Sequence, residues 1–159
     1  MKMQSKSELG RVFAQWLDED RRLATCIDEV RQWMSEVNQL GIPHFGETAS
    51  RLEPARECLT VHFDREVEML EQLKTLYPEG SPEVSAFTRQ TLTDHERILN
   101  RLSDLCGRLT QVDPPFESWT SAMDEVDLFF EELELHERLE SDRVSMLMPG
   151  ECDVPEGLL

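Results

Sequence analysis

The chain has 159 residues, of which 39% are apolar and 31% charged, with a formal net charge of −17. That length suits one domain with a substantial core. So acidic a protein does not bind nucleic acid through its general field, and its longest apolar runs fall far short of a membrane span. The first residues, Met1-Lys-Met-Gln-Ser-Lys, contain no apolar signal-peptide segment, so cytoplasm is the expected compartment.

Prolines and glycines cut the chain into four long pieces. The breaks are Gly41-Ile-Pro43, Pro78-Glu-Gly80-Ser-Pro82, Asp113-Pro-Pro115 and Pro149-Gly150. Within the pieces there is no alternating strand pattern. Apolar residues recur at spacings of three and four, the helical signature. The expectation is all-α: an up-down-up-down four-helix bundle over 8–149, between a flexible segment 1–7 and a tail 150–159.

The first helix is expected near 8–40. Its stripe runs Phe13, Trp16, position 20, Leu23, Ile27, Val30, Met34 and Val37, and position 20 is Asp. The second is expected near 50–77, opening with a capping box at Ser50-Arg-Leu-Glu53, where Pro54 falls in the first turn. Its stripe is Leu52, Ala55, Leu59, His62, Glu66, Met69, Leu73 and Leu76. The third, near 82–111, starts at Ser81-Pro82, a capping hydroxyl followed by a proline at the first helical position. Its stripe passes through Val84, Phe87, Thr91, His95, Ile98, Leu102, Leu105, Leu109 and Val112. The fourth, near 116–147, runs Val126, Phe129, Leu133, His136, Glu140, Val144 and Leu147.

The interruptions of these stripes carry the chemistry. Asp20, His62, Glu66, His95, His136 and Glu140 take positions where an apolar residue is expected, at least one on each helix. Buried charges are costly unless paired or bound to a metal. His62/Glu66 and His136/Glu140 are i, i+4 pairs and share one helix face. At ~1.5 Å per residue, Asp20 lies roughly 25–30 Å before the end of its helix and His136 about as far into the fourth, so the six residues share one layer. The two helical hairpins are also related. Laying Leu23, Ile27, Val30, Met34 and Val37 on Ile98, Leu102, Leu105, Leu109 and Val112 puts Asp20 on His95, and His62/Glu66 match His136/Glu140.

Other features read more plainly. His44 follows Pro43 in a loop and is taken as a surface histidine. Cys26, Cys58, Cys106 and Cys152 show no C-x-x-C spacing and read as free, packing thiols. Trp16, Trp33, Trp119, Phe129 and Phe130 are core or partly exposed aromatics. Met146 and Met148 are expected to pack at the end of the bundle. Asp20 has an alternative reading as a partner of Arg21.

The strings His62-Phe-Asp-Arg-Glu66, Asp94-His95-Glu-Arg-Ile-Leu and His136-Glu-Arg-Leu-Glu140, with Met148-Pro149 beyond, resemble in order and spacing those of a hemerythrin-like (HHE cation-binding) domain over roughly 8–149. The resemblance implies two non-heme irons joined by an oxo or hydroxo group. Glu66 and Glu140 would bridge them, and His62, His95 and His136 would be terminal ligands. Manganese and zinc also suit such ligands. Asp20 stands where the family has a first-helix histidine, and Thr91 where oxygen carriers have another. A more anionic donor set favours the ferric state over reversible O2 carriage. The implied partner is O2 or a related small oxidant, bound or sensed. The competing expectations are a di-iron oxidase or peroxidase-like enzyme, and a metal-free bundle serving as an interaction module.

Overall fold

The computed structural model describes residues 2–76 and 82–147, with side chains over 8, 10–75 and 82–146. They form four helices and no strand: α1 (Lys2–Leu40), α2 (Phe45–Leu76), α3 (Pro82–Leu109) and α4 (Trp119–Leu147). The fold is an all-α four-helix bundle. α1 packs on α2 and α4, and α3 on α2 and α4; the α1–α2 seam is the most extensive, and the two seams of α4 are sparse. No described helix is long and apolar enough to cross a membrane.

The helix ends follow local chemistry. α1 stops at Gly41, whose φ of 68° is the left-handed conformation that glycine adopts freely, and Gly41 N donates to Asn38 O. Ser118 Oγ accepts from Ser121 N and caps α4, so this helix starts three residues later than 116. α3 ends at Leu109 rather than 111, and Val112, expected on the core stripe, is fully exposed beyond it. α1 is helical back to Lys2 instead of starting at residue 8. The Ser81 cap and the side chains of Leu76, Leu147 and Met148 lie outside the described residues, as does Cys152.

α2 corrects the expected capping box. It begins at Phe45, and Ser50 is interior, its Oγ donating to Gly46 O. The start is anchored by Phe45, which stacks on Phe116 and meets Trp119 edge-on, and by Thr48, whose N and Oγ1 both donate to His44 O. Pro54 thus sits inside the helix. It has no N–H for the Ser50 carbonyl, and both residues lie on the exposed face of the helix.

The core is divided. One cluster joins Leu23 to Val37 of α1, Ala49 to Phe63 of α2, Ile98 to Leu109 of α3 and Trp119 to Leu133 of α4. The other joins Val12, Phe13 and Trp16 to Met69, Leu70, Leu73, Phe87 and Val144. Between them lies a layer of buried polar groups: His62, Glu66, Thr91, His95, His136 and Glu140. Leu102, 1% exposed in the larger cluster, shows what packing contributes. Leu102→Ala should cost about 2–5 kcal/mol, read as a lowered urea midpoint with unchanged slope.

Met146 is another departure. It is 84% exposed instead of packing the bundle end. His44 is half-buried, not superficial: it contacts Glu47 at 3.1 Å and lies edge-on to Trp33 and Trp119.

Candidate metal centre

Each side chain of the polar layer is positioned by its helix register and a ring or carboxylate neighbour. His62 stacks on Trp16, with centroids 5.7 Å apart and planes 24° apart. His95 lies flat on Phe63 at 3.7 Å, and His136 meets the same phenyl edge-on at 6.1 Å. These contacts hold the imidazoles while leaving ring nitrogens free to point into the layer. Asp94 Oδ2 lies 3.7 Å from His136 Nδ1, where a carboxylate orients a ring whose other nitrogen serves as a ligand.

The layer is organised as three groups of ligand atoms, each within a 4.8 Å span. His95, His136 and Glu140 form one; Asp20, His62 and Glu137 form a second; Glu66, Glu137 and Glu140 join them. Two donors at ~2.1 Å from one ion are at most about 4.2 Å apart, so each group closes on an ion with a small rotamer adjustment. All six residues expected from the sequence fall in these groups. Asp20 is half-buried and on the layer, and Arg21 pairs with Asp18 instead. His44 belongs to no group among the described residues.

The seventh member, Glu137, is not among the residues expected from the sequence. It approaches His62 Nε2 at 2.5 Å through Oε2 and belongs to two of the three groups. A signal for it exists. Val126, Phe130, Leu133, Glu137, Glu140 and Val144 alternate spacings of four and three, a better core stripe than the one through Phe129 and His136. Both stripes are buried because α4 presents a broad face to the core.

The fit to metal is testable on the unpaired atoms. His62 Nδ1, Glu66 Oε1, His136 Nε2, Glu137 Oε1 and both Glu140 oxygens are buried without a hydrogen-bond partner. His136 Nε2 is 2.6 Å from Glu140 Oε1, but the two are not aligned as donor and acceptor. An unsatisfied buried polar atom costs about 1–3 kcal/mol, against a total stability of roughly 5–15 kcal/mol for a whole domain. Bound cations in this layer would give these oxygens and nitrogens partners. Ionised Asp20, Glu66, Glu137 and Glu140 carry four negative charges, which two divalent cations balance. The residues present fit a dinuclear carboxylate–histidine site.

Without cations the layer holds protons. Burial pushes the Glu140 carboxyl up to about 10, with the charges of Glu66 and Glu137 adding to it. Burial likewise raises Glu137, against its contact with His62. For His62 burial favours the neutral ring, but the Glu137 hydrogen bond and nearby carboxylates outweigh it and raise the pKa. His95 is raised in the same way by Glu140 and Glu66. Burial dominates at His136 and lowers it. Glu66 is lowered: its burial is overcome by the His95 hydrogen bond, its contact with Glu140 and the charges of His95 and His62.

These directions set a pH dependence for chelator-treated protein. Glu140 has a folded pKa above its unfolded one, so the folded state binds the extra proton between about pH 4.5 and 10, and stability falls as pH rises. His62 and His95 act with it above their ordinary range, while His136 is neutral in both states there. The melting temperature of metal-free protein should therefore be lower at about pH 9 than at about pH 7. Divalent cations should reverse the slope, because they replace the protons.

Access follows the sparse seams of α4. A cavity of about 290 Å³ between α1 and α4 is floored by Leu23, Ala24, Ile27 and Leu133 and reaches Asp20 and Glu137. A second, of about 220 Å³, lies between α3 and α4 against Thr91, His136 and Glu140. The layer thus opens to small molecules on both sides of α4.

Comparison of the chain with family models, curated proteins and solved structures returns no match.

Proposed function

We propose that the protein binds two divalent metal ions, iron above all, in a hemerythrin-like site, where it binds or senses O2 or a related small oxidant. The observation that carries this reading is the single polar layer between two apolar clusters, in which three groups of histidine and carboxylate atoms share Glu137 and Glu140. His62 with Asp20 would hold one ion, and His95 with His136 the other. Glu66, Glu137 and Glu140 lie between the histidine groups as candidate bridges. When bound, iron supplies one-electron chemistry and affinity for O2. The protein's own part is to hold three imidazoles against aromatic faces, to keep bulk water out with apolar clusters above and below, and to admit small ligands beside α4. Four carboxylates against three imidazoles favour the oxidised metal, which suits sensing or reduction better than reversible carriage. Manganese and zinc satisfy the same donors.

Protein purified without oxygen and analysed for metal tests the reading. About two ions per chain are expected, with an optical change on admitting O2 if they are ferrous. Metal-free protein that takes up no iron, manganese or zinc on titration refutes it and leaves the interaction-module alternative. Asp20→Ala should lower the stoichiometry from about two toward one, and Asp20→His should keep both. Unchanged affinity for two ions in Asp20→Ala would remove Asp20 from the donor set.

A further inference from the structure

The most extensive seam, between α1 and α2, contains a pair of sulfurs that the metal site does not use. Cys26 Sγ of α1 lies 2.9 Å from Cys58 Sγ of α2, and both are half-buried free thiols. Their separation is within about 1 Å of a disulfide's ~2.05 Å bond length. A cavity of about 110 Å³ lined by Glu29, Ser50, Arg51 and Pro54 reaches Cys26 and admits a molecule of two heavy atoms. Cys106, by contrast, is buried in the larger core cluster.

We propose that Cys26 and Cys58 form a redox-active dithiol that reduces hydroperoxides and closes into an α1–α2 disulfide. The proposal does not rest on the metal-binding reading.

The two sulfurs have different parts. Burial pushes the Cys26 thiol up to about 11, with its Cys58 contact adding to the shift. Cys26 therefore keeps its proton at neutral pH, which suits the resolving rather than the attacking part. Cys58 is the attacking thiolate and Cys26 the resolving thiol. Cys58 sulfur attacks one peroxide oxygen; an S–O bond forms, the O–O bond breaks, and the departing hydroxide takes up the former Cys58 proton from solvent as water. Cys58 is then a sulfenic acid. Cys26 sulfur attacks Cys58 sulfur; the S–S bond forms, the S–O bond breaks, and the leaving hydroxide departs with the Cys26 proton as a second water. Two thiols and one hydrogen peroxide give one disulfide and two waters, two electrons passing from sulfur to oxygen. Cys58 lies one turn before His62, and Cys26 shares a helix with Asp20, so the bond would tie together two of the three helices that hold the Asp20–His62–Glu137 group.

The test treats the full chain, as purified and again after chelation, with hydrogen peroxide, then alkylates the remaining thiols and maps the peptides. A Cys26–Cys58 linked peptide should form on the order of tenfold faster than oxidation of Cys106, following thiol access, and a dithiol reductant should release it. Cys26→Ser should leave a sulfenic acid at Cys58 that dimedone traps. The proposal is overturned if both cysteines remain alkylatable under exposure that oxidises Cys106, or if either pairs with a different cysteine. Trapping at Cys26 in Cys58→Ser, with none at Cys58 in Cys26→Ser, overturns the assignment of roles. Should the variants fold poorly, the wild-type peptide map decides by itself. Metal content measured on the same sample keeps this outcome separate from that of the metal reading.

Discussion

Two equivalents of a divalent cation should raise the melting temperature of chelator-treated protein by on the order of 15–30 °C. Binding to the folded state alone, with ligand a thousandfold above Kd, stabilises by about 4 kcal/mol per site. For a chain of this size each kcal/mol moves the midpoint by roughly 2–4 °C. Burial already holds the donors in place, and six of their atoms have no other partner. Magnesium is the informative control: it dehydrates reluctantly and prefers all-oxygen surroundings, so it should stabilise far less than iron, manganese or zinc. Calorimetry with each ion checks this. Equal, small shifts for all of them would reduce the layer to a generic attraction between cations and an acidic protein.

Glu137→Ala should weaken metal binding by on the order of 100-fold or more and bring stoichiometry below two, since it removes a donor where even outer-sphere losses cost 10–100-fold. Glu137 belongs to both the Asp20–His62 group and the carboxylate group, and it is the hydrogen-bond partner of His62 Nε2. The loss should therefore exceed that of Asp20→Ala. Glu137→Gln keeps a polar partner for His62 but removes the charge, and should fall between. Glu131→Ala, six residues earlier on the exposed face of α4, should bind as wild type. Titration followed by metal analysis separates these cases. Wild-type affinity in Glu137→Ala would leave the layer with only the donors legible as interrupted stripes.

Much of the architecture was legible because the helices bury apolar residues at spacings of three and four. Asp20, His62, Glu66, His95, His136 and Glu140 stood out only by contrast with that pattern, and the structure brings all six into one layer. Glu137 escaped because α4 buries two adjacent ridges, and one of them already accounted for His136. The start of α2 escaped for a different reason. Ser50 and Pro54 imitate a helix entry, but packing of Phe45 on Phe116 and Trp119, remote in sequence, extends the helix upstream. Val112 kept the α3 periodicity after the helix itself had ended. His44 owes its partial burial to the same remote tryptophan. Periodicity reports which face is apolar; it does not report where tertiary contacts begin or stop.

The Trp16–His62 stack gives the site an optical voice. Trp16 is 1% exposed, and its neighbouring ring is an imidazole in the polar layer. Trp33 and Trp119 lie instead around His44 and the α1–α2 connection. An indole beside a protonated imidazole loses emission by electron transfer, and one beside a paramagnetic ion loses still more. With Trp33 and Trp119 replaced by phenylalanine, the remaining tryptophan fluorescence, excited beyond tyrosine absorption, would come from Trp16 alone, against the first metal group. Its intensity would then read the protonation and occupancy of that half of the site in real time, without an added dye.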